Sequence, residues 1–192
     1  MKRKLLIVSV VAICIAILAA GSLAYFTAEG KAHNVITTGG VEIALQEWAD
    51  EAKTIPYSTR EAKGVMPGTT VTKIVEVKNT GASDAWVRVK VEKNIELGQG
   101  IEIPGVDNPQ EELVALDINT QDWQKDTDGF YRYKSVLKPG ETTTPILRSV
   151  EFKPAMDNVY QNAQISVDIS AQAVQYANNG TTVMAAQGWP TT

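Results

Sequence analysis

Ile165-Ser166-Val167-Asp168-Ile169-Ser170-Ala171-Gln172-Ala173 is the stretch on which the fold reading rests. Successive side chains of an extended chain point to opposite faces, so Ile165, Val167, Ile169, Ala171 and Ala173 share one side. Ser166, Asp168, Ser170 and Gln172 take the other. A helix with this sequence would scatter both classes around its axis. The stretch is therefore expected to be a strand with one face in a core and the other toward water.

The same period recurs outward from it. Val41, Ile43 and Leu45 alternate with Glu42, Ala44 and Gln46. Val71, Val75 and Val77 share a face through Lys73, opposite Thr72, Ile74, Glu76 and Lys78. Val87, Val89 and Val91 alternate with Trp86, Arg88, Lys90 and Glu92. Phe130 to Ser135 is aromatic and alternating, and Ile146, Val150 and Phe152 oppose Leu147, Ser149 and Glu151. Turn chemistry separates these runs at Pro67-Gly68, Asn79-Thr80-Gly81, Asp126-Thr127-Asp128-Gly129 and Pro139-Gly140. Many short strands without alternating helices predict an all-β, two-sheet antiparallel sandwich. Gly98 to Asp122 is interrupted by Gly100, Pro104, Gly105, Asn108 and Pro109. It is expected as an insertion between sheets, with room for a short helix over Gln110 to Leu116. Met66-Pro67-Gly68-Thr69-Thr70 and Lys138-Pro139-Gly140-Glu141-Thr142-Thr143 resemble one another and predict equivalent turns, each entering a strand.

The beginning of the chain reads as an export signal. Lys2, Arg3 and Lys4 precede an uncharged run from Leu5 to Ala20, followed by the small residues of Gly21-Ser22-Leu23-Ala24. The run is shorter than the roughly 20 residues a spanning helix needs. Cleavage is expected between Ala24 and Tyr25. A retained anchor is the alternative, since Tyr25 and Phe26 prolong the apolar stretch. The domain reading is then a signal helix over 1–24, an N-terminal segment over 25–40, a sandwich domain over 41–177 and a flexible, mostly polar tail over 178–192.

The one cysteine, Cys14, lies in the leader, so the mature chain is expected to have no disulfide, no thiolate-bound metal and no cysteine nucleophile. Of the 18 basic residues three leave with the leader, and the remaining 15 face 22 acidic ones, a net charge of −7. That sign argues against nucleic acid as a partner, and leaves the membrane a role only through the uncleaved leader.

Gly21 to Thr27, then Asn34-Val35-Ile36-Thr37-Thr38-Gly39-Gly40-Val41-Glu42-Ile43, then Met66-Pro67-Gly68 and Val77-Lys78-Asn79-Thr80-Gly81, come in an order that resembles the TasA/camelysin family of secreted proteins processed by a SipW-type signal peptidase. The resemblance covers most of the chain, with a shorter middle section than the longer fibre proteins. It implies a jelly-roll sandwich on a Gram-positive surface or in its extracellular matrix, acting as a subunit of biofilm-matrix fibres. Its implied partners are other copies of the chain, the peptidase, and a minor anchoring or nucleating subunit.

A route to such fibres can be stated from the residues. Cleavage frees a segment carrying Tyr25, Phe26, Val35 and Ile36, and a sandwich short of one strand leaves an edge of unpaired backbone groups. Inserting the segment into a neighbour would complete its sheet, and repeated head-to-tail insertion makes a filament. The alternative is that Ala32 to Leu45 forms the first strand of its own subunit.

Enzyme readings are weaker. His33 is the only histidine, with Glu29 as its nearest acid, whereas a catalytic zinc site takes three ligands dominated by histidine. Neither His-Glu-x-x-His nor Gly-x-Ser-x-Gly occurs. A camelysin-like surface metalloprotease and a monomeric adhesin or carbohydrate-binding module stand as alternatives, and no catalytic residue or cofactor is expected. Glu111 and Glu112 read as solvated charge. Asp126 and Asp128, with Asp122 and Gln124, make half a calcium loop that lacks its closing glutamate; a hairpin turn at Asp128-Gly129 is the stronger reading. Phe130, Tyr131, Tyr133 and Trp123 would suit a glycan platform, but cross-strand packing is the stronger reading.

Overall fold

In the computed structural model, the structure describes the backbone of 27–29 and 32–37, and residues 40–57, 66–96, 113–156, 160 and 163–190. Among the described residues ten strands run in chain order: β1 Thr27–Glu29, β2 Ala32–Thr37, β3 Ile43–Trp48, β4 Thr70–Asn79, β5 Ala85–Glu96, β6 Val114–Ile118, β7 Trp123–Lys125, β8 Tyr131–Tyr133, β9 Leu147–Phe152 and β10 Gln164–Gln175. One antiparallel sheet has the order β10-β5-β8-β7, extended at β10 by β1 and β2; the other has the order β3-β4-β9-β6. The all-β reading holds. The leader and the proposed cleavage site at Ala24 and Tyr25 lie outside the described residues, as does Phe26.

The stretch Ile165 to Ala173 forms most of β10, and its alternation matches its burial. Ile165, Val167, Ile169, Ala171 and Ala173 are buried. Opposite them on β5, Val91, Val89 and Val87 take the positions of Ile169, Ala171 and Ala173, so apolar meets apolar across the pair. These side chains join Val75, Val77, Leu147, Val150 and Phe152 of the second sheet in one hydrophobic cluster. Burying such residues, at about 25 cal/mol per Å² of apolar surface, drives two half-apolar sheets face to face.

Three departures from simple alternation have physical causes. The strand β4 is buried on both faces: Ile74 is 1% exposed and Glu76 4%. The end of β3 and the loop after it bring partners to its second face, where Trp48 Nε1 and Lys53 Nζ donate to Glu76 at 3.1 and 2.5 Å. Leu147, placed by alternation opposite Val150, is buried with it in the same core. Register shifts between Thr72 and Val75 on β4, and between Leu116 and Ile118 on β6, change the phase of the pairing there. The short helix expected over Gln110 to Leu116 is corrected by β6, which begins at Val114. Val114, Ala115, Leu116 and Ile118 pair with β9, and that pairing outweighs a weak local helical preference.

The turns follow their chemistry. Gly68 and Gly140 both sit at φ +79°, each directly after proline. Thr69 N donates to Met66 O at 3.2 Å and Glu141 N to Lys138 O at 3.0 Å, so the two similar motifs are the same turn. In the Asn-x-Gly turn, a Cβ on Gly81 would stand 2.8 Å from Glu42 N. That approach lets Thr80 N and Gly81 N both donate to Glu42 O. Asn79, fully buried, closes the corner by donating its amide to Ser83 O at 2.8 Å and Leu137 O at 2.9 Å while accepting from Gly81 N at 3.0 Å.

Asn79→Ala should therefore destabilise the protein by about 2–3 kcal/mol, since it leaves buried backbone groups with fewer partners. The shift of the urea unfolding midpoint at unchanged slope measures it.

Candidate functional site

The strand β10 has two backbone edges. One pairs with β5 along the whole strand, from Gln164 opposite Glu96 to Gln175 opposite Ala85. The other meets the chain's own leading segment in parallel. Thr27, Ala28 and Glu29 lie opposite Gln164, Ile165 and Ser166, and pairing resumes with Ala32 opposite Ile169. The register then shifts: Asn34 faces Ser170, and Val35, Ile36 and Thr37 face Ala171, Gln172 and Ala173. His33 is the extra residue of this bulge. Its insertion changes the phase of the strand, so that Val35 and Thr37, not Asn34 and Ile36, take register positions beside core alanines.

The leading segment thus pairs with its own subunit. It does not continue as one strand from Ala32 to Leu45, because β2 belongs to the first sheet and β3 to the second, with Gly40 at φ +72° between them. Of the four residues named as donor side chains, Val35 and Ile36 are on this edge; Tyr25 and Phe26 lie outside the described residues.

A second constellation lies on the outward face of the same sheet. Gln172, Arg88 and Arg132 are successive cross-strand partners on β10, β5 and β8. Arg88 Nε and Nη2 donate to Gln172 Oε1 at 2.9 and 2.7 Å, and its Nη1 donates to Asp128 Oδ2 at 2.9 Å. Arg132 Nε donates to Asp126 Oδ2 and its Nη2 to Asp128 Oδ2, both at 2.8 Å. Phe130 stacks 3.9 Å from the Arg88 guanidinium, while Trp189 lies 4.7 Å from Arg88 and 5.2 Å from Arg132. Burial lowers the pKa of Arg88, opposed by the nearby Asp128 carboxylate.

This arrangement reassigns Asp126 and Asp128. Their remaining oxygens accept from Thr127 N at 2.7 Å and Phe130 N at 3.0 Å, the bonds of a hairpin turn between β7 and β8. The two carboxylates are matched by two guanidiniums, so the calcium pattern in the sequence serves as a turn and an ion-pair network here. Among the described residues no group of three or more histidine, cysteine or acidic side chains is placed to hold a metal. The aromatic platform is internal as well. Trp123 is 1% exposed, donates to Thr144 O at 3.1 Å and packs 5.0 Å from Tyr133.

Within the tail expected to be flexible over 178–192, two apolar residues are anchored on the sheet. Val183 and Ala186 are buried with Trp86 and Val174, and Trp86 Nε1 donates to Asn179 O at 2.9 Å. Asn179 and Gln187 exchange two hydrogen bonds at 3.0 and 2.8 Å. Polarity suggested flexibility, but Val183 and Trp189 supply anchors for a sheet face that alternation alone would leave wet. The Arg88–Gln172–Arg132 row escaped the sequence reading because only register brings distant polar positions together; the interruption of the tail by Trp189 was the one available signal.

Comparisons with protein-family models, characterised proteins and solved structures find no match for this chain.

Trp189→Ala removes the aromatic cover from Arg132 and one of the two rings over Arg88, and should cost about 1–3 kcal/mol. A lower urea midpoint with the sheet spectrum retained would show it. A pH dependence follows from three carboxyls held below their usual 3.8: Asp50 by Ile55 N–H, Asp122 by the Asn119 amide, and Asp126 by Thr127 N–H. Carboxyls more acidic when folded contribute stability above their unfolded value, and lose it as pH falls through the folded one. The thermal midpoint should hold between about pH 7 and 5 with respect to these groups and fall below about pH 4, less steeply in Asp126→Asn.

Proposed function

We propose that this protein is a secreted structural subunit of extracellular fibres, built as a jelly-roll-like sandwich and assembled by exchange of its leading segment between neighbours. The observation that carries this reading is the edge of β10. Its twelve residues pair completely with β5 on one side, while the other side takes only the short parallel strands β1 and β2. These belong to a terminal segment that removal of the leader would free. An edge completed by the chain's own terminus is equally suited to the same terminus of another copy, with the same backbone bonds and register. Each subunit that gives its segment forward and receives one from behind extends an open chain. In the membrane-held precursor the leader tethers the segment, so cleavage by a signal peptidase of SipW type licenses assembly at a Gram-positive cell surface. A minor subunit would supply the first edge.

A protein beginning at Tyr25 should form filaments by electron microscopy, whereas one beginning at Val41 should stay monomeric. Asn34→Cys with Ser170→Cys, oxidised as a monomer, fastens the segment to its own β10. Filaments should then appear only after reduction. Equal assembly of the oxidised and reduced forms would refute segment exchange.

A further inference from the structure

Lys73 on β4 and Glu47 on β3 form an ion pair at 2.8 Å, with side chains 1% and 7% exposed. Among the ion pairs of the described residues it is the one in which both side chains are less than one tenth exposed. The Tyr57 ring covers the ammonium at 3.8 Å. Glu47 Oε1 is buried and has no hydrogen-bond partner among the described residues. Two charges in a dry interior are costly, and an unmatched carboxylate oxygen adds to the cost. Passing one proton from the ammonium to the carboxylate removes both charges and leaves a primary amine against a carboxylic acid. Burial acts in that direction on Lys73, lowering its pKa against the opposing pull of Glu47 and, more weakly, Asp168.

We propose that Lys73 and Glu47 condense into an intramolecular amide, a covalent staple between β3 and β4. After the proton transfer the Lys73 nitrogen lone pair adds to Glu47 Cδ, forming the C–N bond. Collapse of the tetrahedral intermediate breaks one C–O bond, and the departing hydroxyl leaves as water with a proton taken from the nitrogen. One amine and one acid become one amide and one water, with no change of oxidation state and no co-reactant. Holding both groups in one buried geometry raises their effective concentration to as much as about 10⁵ M or more, and exclusion of water opposes hydrolysis of the product. The amide removes both buried charges at once. It also ties the edge strand β3 to its neighbour in a mature chain expected to have no cysteine.

Mass spectrometry of the folded mature protein tests the staple directly. Trypsin does not cut at an acylated lysine, so digestion should yield a branched peptide joining 32–53 to 64–78, lighter than its two parts by one water. Lys73→Met and Glu47→Ala should each give only linear peptides and a lower thermal midpoint. Complete recovery of separate linear peptides, cut after Lys73, from wild-type protein kept folded at 37 °C for days would overturn the proposal. That measurement needs no variant to fold.

Discussion

The strand β10 is the constraint on which the rest of the structure depends. Its inward side chains join the two sheets, one backbone edge is satisfied throughout by β5, and the other is left for the leading segment. A strand at the margin of a sheet exposes a row of donors and acceptors that some partner will take. Here the partner is the chain's own terminus, bound through short parallel pairings. The edge is thereby satisfied within one molecule.

Polar groups inside the molecule explain how the two sheets are held in one arrangement. Asn79 saturates the corner between β4 and β5, Glu76 anchors residues 48–53 on the second face of β4, and the Arg88–Arg132 pair brings the β7–β8 turn and the tail onto the outward face of β10 and β5. Hydrophobic burial is non-directional and would tolerate several registers of strands as alike as these. Buried hydrogen bonds tolerate one, because a slip of one residue strands them without partners. The Lys73–Glu47 pair belongs to the same class, with the difference that its two ends can react.

Much of the fold was legible. Alternation placed β3, β4, β5, β9 and β10, and the two Pro-Gly motifs were recognisable as one turn used twice. The β6 strand was not, because Val114 to Ile118 is short, follows a stretch rich in breakers, and becomes a strand through pairing with β9. The buried second face of β4 was hidden for a related reason: Trp48 at the end of β3 and Lys53 in the loop after it reach Glu76 along a path set by long-range contacts. Of the candidate site, Val35 and Ile36 were expected as donor residues for a neighbour, and here they pair with β10 of their own chain. The bulge at His33 that sets their phase was not, since a bulge depends on the strand opposite.

Residue order alone determined that this chain makes sheets, where its main turns fall, and which face of each principal strand seeks a core, because these follow from period, from proline and glycine torsions, and from the water-aversion of nearby side chains. Three-dimensional packing decided which edges meet, what becomes of Asp126 and Asp128, and that a polar tail lies down on Trp86, Arg88 and Arg132. Those outcomes depend on register between segments far apart in sequence, where one residue of slip exchanges the faces of a whole strand.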